Sequence, residues 1–121
     1  MEIIKIQEKI EQSISNIQIA RKLLREMAVN KARNIAEYEK SVAITILRLK
    51  NNDLKQMHGL PCENLPATLI EKVARGFCFK EKLESEQADA EYKMGIEGMK
   101  ALEAELNGYQ SILRYSEYST K

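Results

Sequence analysis

The chain has little of what most enzymes and sheet proteins use. Its 121 residues include no tryptophan, one histidine, two cysteines and two prolines, and aromatic residues make up only 6%. Charged residues reach 31%, and long segments are rich in Ala, Glu, Lys, Leu, Ile and Arg. This composition is typical of long or paired helices and disfavours a sheet protein. A length of 121 residues predicts a single domain, spanning residues 1–121.

Targeting and membrane signals are also missing from the start of the sequence. The segment MEIIKIQEKIEQ carries a charge every few residues, which is typical neither of a signal peptide nor of a membrane span. The two cysteines stand sixteen positions apart, a spacing that favours reduced thiols over a disulfide framework. We therefore expect a cytoplasmic protein without membrane contact.

The stretch GLPCENLPATLIEKVARGFC gathers both prolines and both cysteines, and His58 stands just before it. His58, Cys62 and Cys78 are candidate zinc ligands, but a structural zinc site normally needs four ligands and a Cys-x-x-Cys pair is absent. Nucleophilic catalysis by either thiol would need His58 as a base together with an orienting group. We expect a turn between helices, and we predict no catalytic residue, no metal, no cofactor and no enzymatic activity.

Before this stretch, about residues 2–52 contain no Gly or Pro and predict one helix. Ile3, Ile10, Ile17 and Leu24 recur every seven residues, with Ile6, Ala20 and Met27 three positions further on. This is an a/d seam of a coiled coil. After Leu24 the apolar pattern moves by four positions, as in a stutter, and continues through Ala28, Ala32, Ile35, Val42, Ile46 and Leu49.

The remaining elements are a short and a long helix. Asn51, Asn52 and Asp53 predict the end of the first helix, and Gly59 and Pro61 prevent its continuation. A connector helix is predicted over about residues 65–75, with Pro66 at its first position and Gly76 as a left-handed stop. Its apolar face consists of Leu65, Leu69, Ile70 and Val73.

A last helix is predicted over about residues 77–117. Its seam consists of Met99, Leu102, Leu106, Tyr109 and Leu113, extended backward by Leu83, Ala90 and Met94. Gly95, Gly98 and Gly108 are unusual in a helix, so we expect them to mark close helix contacts or a kink.

Charge and apolarity together predict how these helices assemble. Residues 1–50 hold ten basic and six acidic side chains, whereas residues 83–121 hold four and eight. The predicted fold is all-α: a long antiparallel two-helix hairpin with a short connector helix. Seven apolar residues of the first helix lie off its seam and would be exposed in a monomer: Ile4, Ile14, Ile19, Leu23, Val29, Ile44 and Leu47. We therefore expect a homo-oligomeric helical bundle.

Two motifs, LPATLIEKVARG and AELNGYQSILRY, support a family resemblance. From about Tyr38 to Tyr115 the chain resembles small, uncharacterised coiled-coil proteins encoded by phages and prophages of Gram-positive bacteria. The resemblance implies a phage setting, hence the cytoplasm of the host cell, and a hairpin fold. No functional residue transfers with it.

Two basic regions are candidate binding sites. Around the connector the basic residues are Lys72, Arg75, Lys80 and Lys82, with Phe77 and Phe79 as aromatic neighbours. On the first helix they are Arg21, Lys22, Arg25, Lys31 and Arg33. A solvated face, or a face paired with the acidic last helix, is the simpler interpretation of the basic run on the first helix.

The leading functional hypothesis is a non-enzymatic phage accessory protein. It would be an oligomeric hairpin that binds a host or phage protein and inhibits a host defence or nuclease component. A purely structural role, such as an assembly spacer, remains open, and so do two further alternatives. One is a sponge that sequesters a small signalling nucleotide between its helices. The other is a recombination accessory that binds single-stranded DNA through the first helix.

Overall fold

The computed structural model describes residues 2–119. Helix α1 spans Ile3–Lys50, and a small antiparallel β-hairpin follows, with strands β1 at Gln56–Met57 and β2 at Leu60–Pro61. Helix α2 spans Ala67–Phe77, and helix α3 spans Phe79–Ser119. The prediction of an all-α protein is confirmed, and the two long helices pack against each other. The β-hairpin was not predicted. Along the described part of the chain, no helix is long and apolar enough to cross a membrane.

The contacts divide the chain into two compact units. The first consists of the described residues of Met1–Ala28 and Ala90–Lys121, and the second is Val29–Asp89. In the first unit the beginning of α1 packs against the end of α3. In the second, the end of α1 packs against α2, the connector and the beginning of α3. The prediction that residues 1–121 form a single domain stays a prediction.

In the first unit the predicted seams are largely confirmed. Ile6 and Ile17 of α1 are buried, and so is Met99 of α3. Of the three unusual glycines, Gly95 marks a close helix contact. A Cβ added there would lie 2.9 Å from both Leu24 Cδ1 and Met27 Sδ. A Cβ at Gly98 or Gly108 would meet nothing within 4 Å, so within residues 2–119 the expected close contact is absent at these two glycines.

In the second unit the α1 seam differs from the prediction. Ile35 is 40% exposed and Ala32 is exposed, whereas Tyr38 and Thr45 are buried. The original sevenfold register therefore continues through Lys31, Tyr38 and Thr45. The apolar pattern of the sequence did not indicate this register because Lys31 and Thr45 are polar. Each of the two side chains has a polar partner in the structure. Lys31 Nζ lies 2.9 Å from Asp89 Oδ1, and the Thr45 hydroxyl donates to Ser41 O at 2.7 Å.

The predicted second register of α1 is buried only where another element covers it. Leu49 is 2% exposed and packs with Cys62, Ile70 and Ala74, which belong to the connector and α2. Val42 is 3% exposed and packs with Tyr38 and Cys78. Near its end, α1 therefore buries apolar side chains on two faces.

The backward extension of the α3 seam was also predicted wrongly. Leu83 is 66% exposed, Met94 is 73% exposed and Ala90 is exposed. The buried positions are instead Ser85, which lies seven residues after Cys78, and Ala88, which lies three positions after Ser85. Because this part of the seam consists of small residues, the buried face of α3 is less apolar here than the exposed face that carries Leu83 and Met94.

Helix α2 runs further than predicted. Pro66 is its N-cap, and Gly76 lies inside the helix without a positive φ. Cys78 N donates to Ala74 O at 3.1 Å, and Lys82 N donates to Cys78 O at 3.0 Å, so helical hydrogen bonding passes through Cys78 into α3. Gly76 is therefore not a stop. On the apolar face of α2 Ile70 is buried, but Leu69 is 44% exposed.

Candidate functional site

The connector between α1 and α2 is held by two asparagines in left-handed conformations. Asn52 has φ 55° and follows the last turn of α1, where Asp53 N donates to Arg48 O and Asn52 N donates to Leu49 O. This pair of hydrogen bonds is a Schellman motif with Asn in the position usually taken by Gly. Asn64, with φ 58°, donates its N–H to Asn52 Oδ1 at 3.1 Å. The asparagine pair therefore closes the connector loop.

A two-residue turn forms the tip of the β-hairpin. His58 and Gly59 have φ values of 52° and 77°, and Met57 pairs with Leu60 on either side. Positive φ at both central residues is the requirement of a type I′ hairpin turn. Cys62 fixes the base of the hairpin, since its N–H donates to Lys55 O at 3.0 Å and its thiol donates to Leu54 O at 3.3 Å. The turn thereby holds His58 in a defined place.

His58 lies against the junction of α2 and α3. Its ring centroid is 5.8 Å from that of Phe77 and 5.5 Å from that of Phe79. Its Nε2 is 3.3 Å from Phe77 O, a carbonyl at the end of α2. The hydrogen bond needs the tautomer that carries the proton on Nε2. The hairpin is thus docked on the junction by one hydrogen bond and two ring contacts.

An apolar groove lies between the β-hairpin, α2 and the start of α3, and we call it the connector groove. Its volume is about 450 Å³, and its lining residues are His58, Leu60, Pro61, Leu65, Val73, Gly76, Phe77 and Phe79. Leu60 and Phe79 are more than half exposed, at 58% and 52%. The imidazole is the one polar side chain in this lining. Such a lining suits apolar side chains of a partner better than a phosphate group.

The predicted aromatic residues line this groove, but the basic residues divide into two sets. Arg75 donates to Tyr38 Oη at 3.4 Å and to Glu71 Oε1 at 3.2 Å. These two hydrogen bonds raise the pKa of Arg75. Arg75 is thereby directed to Tyr38 of α1. Lys72 and Lys80 are exposed, and they lie one turn before and one turn after Gly76 of the groove.

Lys82, the fourth basic residue predicted around the connector, completes the surroundings of Tyr38. Its Nζ lies 5.1 Å from the centroid of the Tyr38 ring and 3.0 Å from Glu86 Oε1. The hydrogen bond to Glu86 raises the pKa of Lys82. The Tyr38 ring itself is buried with Val42 and Cys78. This cluster joins three helices and has the features of a structural contact.

The first three residues of the basic run of α1 lie in the first unit, apart from the connector residues in the sequence. Arg21, Lys22 and Arg25 are all exposed. Arg21 lines a second groove of about 340 Å³ together with Ile14, Ile17, Gln18, Glu103, Leu106 and Asn107. Because Arg21 and Glu103 both line this groove, its lining does not carry charge of a single sign.

The candidate zinc ligands occupy separate environments. His58 faces Phe77 O, Cys62 donates to Leu54 O, and Cys78 Sγ lies 3.5 Å from Thr45 Oγ1. The Thr45 proton is already donated to Ser41 O, so Cys78 is the donor to Thr45. Within residues 2–119, no group of three His, Cys, Asp or Glu side chains is placed to hold a metal ion.

Most of the groove was not selected from the sequence. Phe77 and Phe79 were selected as binding residues. His58 was considered only as a zinc ligand or a base, and Leu60, Pro61, Leu65 and Val73 were assigned only to a turn or a helix face. The signal that could have found the hairpin is the pair His58-Gly59, flanked by two short segments. Glycine adopts positive φ freely and histidine does so more often than most residues, so this pair suits a tight turn.

Comparisons of the chain with protein-family models, with curated proteins and with solved structures find no match.

Proposed function

We propose that this chain is a non-enzymatic interaction protein that self-associates and binds another protein through its exposed apolar surface. The observation that carries the proposal is the exposure of all seven off-seam apolar residues of α1. They are Ile4 at 67%, Ile14 at 42%, Ile19 at 57%, Leu23 at 48%, Val29 at 53%, Ile44 at 46% and Leu47 at 60%. So many large apolar side chains left in water favour a protein-binding surface.

The connector groove is the proposed site for the other protein. Its apolar lining can take one or two aliphatic or aromatic side chains of a partner, and the exposed Lys72 and Lys80 favour an acidic segment beside them. The imidazole of His58 is hydrogen-bonded to a backbone carbonyl and both thiols are buried. These placements support a binding role rather than catalysis.

The resemblance of LPATLIEKVARG and AELNGYQSILRY to phage proteins extends the proposal to its biological setting. The partner would be a host or phage protein in the cytoplasm of the host cell. A host defence or nuclease component, inhibited by the complex, is the class of partner that we propose.

Retention of partners from a Gram-positive bacterial lysate tests this site. Phe79→Ser removes an aromatic wall of the groove, and Leu83→Ser makes a similar change on α3 at a side chain outside the groove lining that is 66% exposed. We expect the immobilised wild type and the Leu83→Ser variant to retain the same protein, and Phe79→Ser to lose it. Thermal unfolding of each variant checks that the fold is intact. Equal retention by all three chains would contradict the groove as the site.

The two alternatives predict different measurements. A nucleotide sponge would show a thermal shift with cyclic nucleotides, and the pairing of Arg75 and Lys82 with side chains of the same chain disfavours it. A DNA-binding protein would bind single-stranded DNA at low salt and lose it as salt rises, because its contacts would be to phosphates. Loss of that binding in an Arg21→Ala/Lys22→Ala/Arg25→Ala variant would favour the DNA alternative over ours.

A further inference from the structure

Helix α3 carries a second stripe in the first unit, beside its buried seam, in which every residue but Glu105 is uncharged. The outer stripe consists of Met94, Gly98, Ala101, Glu105, Gly108, Ile112 and Tyr115, which alternate steps of four and three residues. Each member comes one position before a seam position, as Gly98 comes before Met99. One residue turns a helix by about 100°, so the outer stripe lies roughly a quarter turn from the seam.

Every residue of the outer stripe is exposed in the single chain. Tyr115 is 75% exposed, Met94 73% and Ile112 44%. The spacing is that of the a and d positions of a coiled coil, which pack against another helix. Two such stripes about a quarter turn apart allow a helix to contact two neighbours at once, as in a four-helix bundle.

The two glycines of the outer stripe point to close approach by another helix. A Cβ at Gly98 or Gly108 would meet nothing within 4 Å in this chain. A helix-interior glycine costs about 0.8 to 1 kcal/mol relative to alanine. No contact among the described residues explains either glycine, whereas a helix packed closely on this face would use both.

The order of sizes along the outer stripe makes it complementary to itself. In an antiparallel pair, an a position of one helix faces a d position of the other. One register places Tyr115 opposite Gly98 and Ile112 opposite Ala101 of the second helix. The same register places Glu105 opposite Gly108. Each larger side chain then faces a small residue, which is the arrangement that fills an interface without voids or clashes.

We propose that the occupant of the outer stripe is the same stripe of a second copy, packed antiparallel around a twofold axis between Glu105 and Gly108. In such an isologous interface each pair of facing residues occurs twice. The flanking positions nearest the axis are Ala104 and Ser111, which are small and uncharged. The pairing rests on the proposed function, because self-association is part of that function. It adds which surface of α3 pairs, and in which register.

Sedimentation equilibrium of the full chain measures the pairing. Gly98→Tyr places a large side chain opposite Tyr115, and we expect the dimer Kd to rise by about tenfold or more, as for an overpacked interface. Tyr115→Ala also weakens the dimer because it removes the facing ring. The double variant Gly98→Tyr/Tyr115→Ala exchanges the large and small positions. We expect its Kd to return towards that of the wild type.

The matched control is Gln110→Tyr, which adds the same ring at an exposed position of α3 outside the outer stripe. Its Kd should equal that of the wild type. Far-UV circular dichroism confirms that all variants remain helical. A Kd that does not change with Gly98→Tyr, or that changes equally with Gln110→Tyr, would overturn the pairing.

Disulfide cross-linking tests the direction and register directly. Both native cysteines are buried, so they contribute little background. A mixture of Gly98→Cys chains with Tyr115→Cys chains should cross-link under mild oxidation, because the two positions face each other within disulfide reach. Each variant alone should not. Cross-linking of Gly98→Cys chains with themselves would indicate a parallel pair and overturn the proposal.

The outcomes separate this inference from the proposed function. A wild-type chain that stays monomeric at all concentrations contradicts self-association and therefore both proposals. An oligomer that ignores Gly98→Tyr and gives no cross-link between positions 98 and 115 contradicts only the outer-stripe pairing. Loss of lysate partners in Phe79→Ser is independent of either result, because Phe79 lies outside the outer stripe.

Discussion

Gly95 is the residue at which the seams of α1 and α3 leave no room for a side chain. An added Cβ would lie 2.9 Å from both Leu24 Cδ1 and Met27 Sδ. Sequence reasoning grouped Gly95 with Gly98 and Gly108, because a helical glycine has the same propensity cost wherever it stands. Only the packing separates a glycine enclosed by its own chain from glycines that face open space.

We expect Gly95→Leu to lower the free energy of unfolding by about 1–3 kcal/mol, because the side chain overpacks the seam. Gly76→Ala is the contrasting substitution, at a glycine where an added Cβ meets nothing within 4 Å. There the gain in helix propensity should raise the free energy of unfolding by roughly 0.5–1 kcal/mol. Urea denaturation followed by circular dichroism measures both. Stabilisation by Gly95→Leu would contradict the close contact.

Asn52 combines a left-handed backbone with a side-chain hydrogen bond. Its φ is 55°, and its Oδ1 accepts from Asn64 N. Asn52→Ala removes the acceptor and keeps a strained φ, so it should cost about 1–2 kcal/mol. Asn52→Gly also loses the acceptor but removes the strain, and should therefore cost less. Urea denaturation compares the two, and an equal loss would show that backbone strain contributes nothing at this position.

At the scale of elements, α2 is stabilised by one face that packs on α1 and the connector. Ile70 is 7% exposed and packs with Leu49, Cys62 and Ala74. Its neighbour Leu69 is 44% exposed. Sequence periodicity placed both on the apolar face. The structure divides them because the covering residues lie on one side of α2.

Ile70→Ala should lower the free energy of unfolding by about 2–4 kcal/mol, through lost burial and the cavity left behind. Leu69→Ala, one position earlier in the same helix, should cost less than about 1 kcal/mol, since its side chain is already partly in water. Thermal or urea unfolding gives both values. Equal losses would mean that α2 packs through a different face.

At the scale of the whole molecule, the proposed dimer brings two acidic side chains near its twofold axis. Each Glu105 faces Gly108 of the other copy, so the two carboxylates lie in neighbouring layers. Two like charges at this separation weaken association by a fraction of a kcal/mol in a solvated setting. The pairing therefore predicts how a neutral side chain at this position changes the Kd.

Glu105→Gln should lower the dimer Kd by about two- to fivefold at low salt, and the difference should shrink as salt screens the charges. Glu103→Gln removes a charge from an exposed position of α3 outside the outer stripe and should leave the Kd nearly unchanged. Sedimentation equilibrium at two salt concentrations measures both variants. An unchanged Kd in Glu105→Gln would place this residue away from the axis.

Much of the secondary structure could be predicted from local rules. The end of α1 after Lys50 follows from Asn51, Asn52 and Asp53, and the existence of both long helices follows from sevenfold apolar spacing without proline. The exposure of Ile4 and Leu47 was predictable too, because a helix in a hairpin buries only one stripe. These outcomes depend on backbone propensity and periodicity, which act over a few residues.

The connector groove and the true course of the seams were decided only by tertiary contacts. The sequence by itself determined that α1 has apolar residues on two faces. Which face is buried at Ile35 or at Leu49 depends on whether α2 lies over it. Likewise the place of His58 depends on a hairpin turn that docks on Phe77 and Phe79, residues about twenty positions away. Whether a residue is buried depends on which other parts of the chain cover it. The spacing of residue types therefore indicated which residues could be buried, but not which of them are.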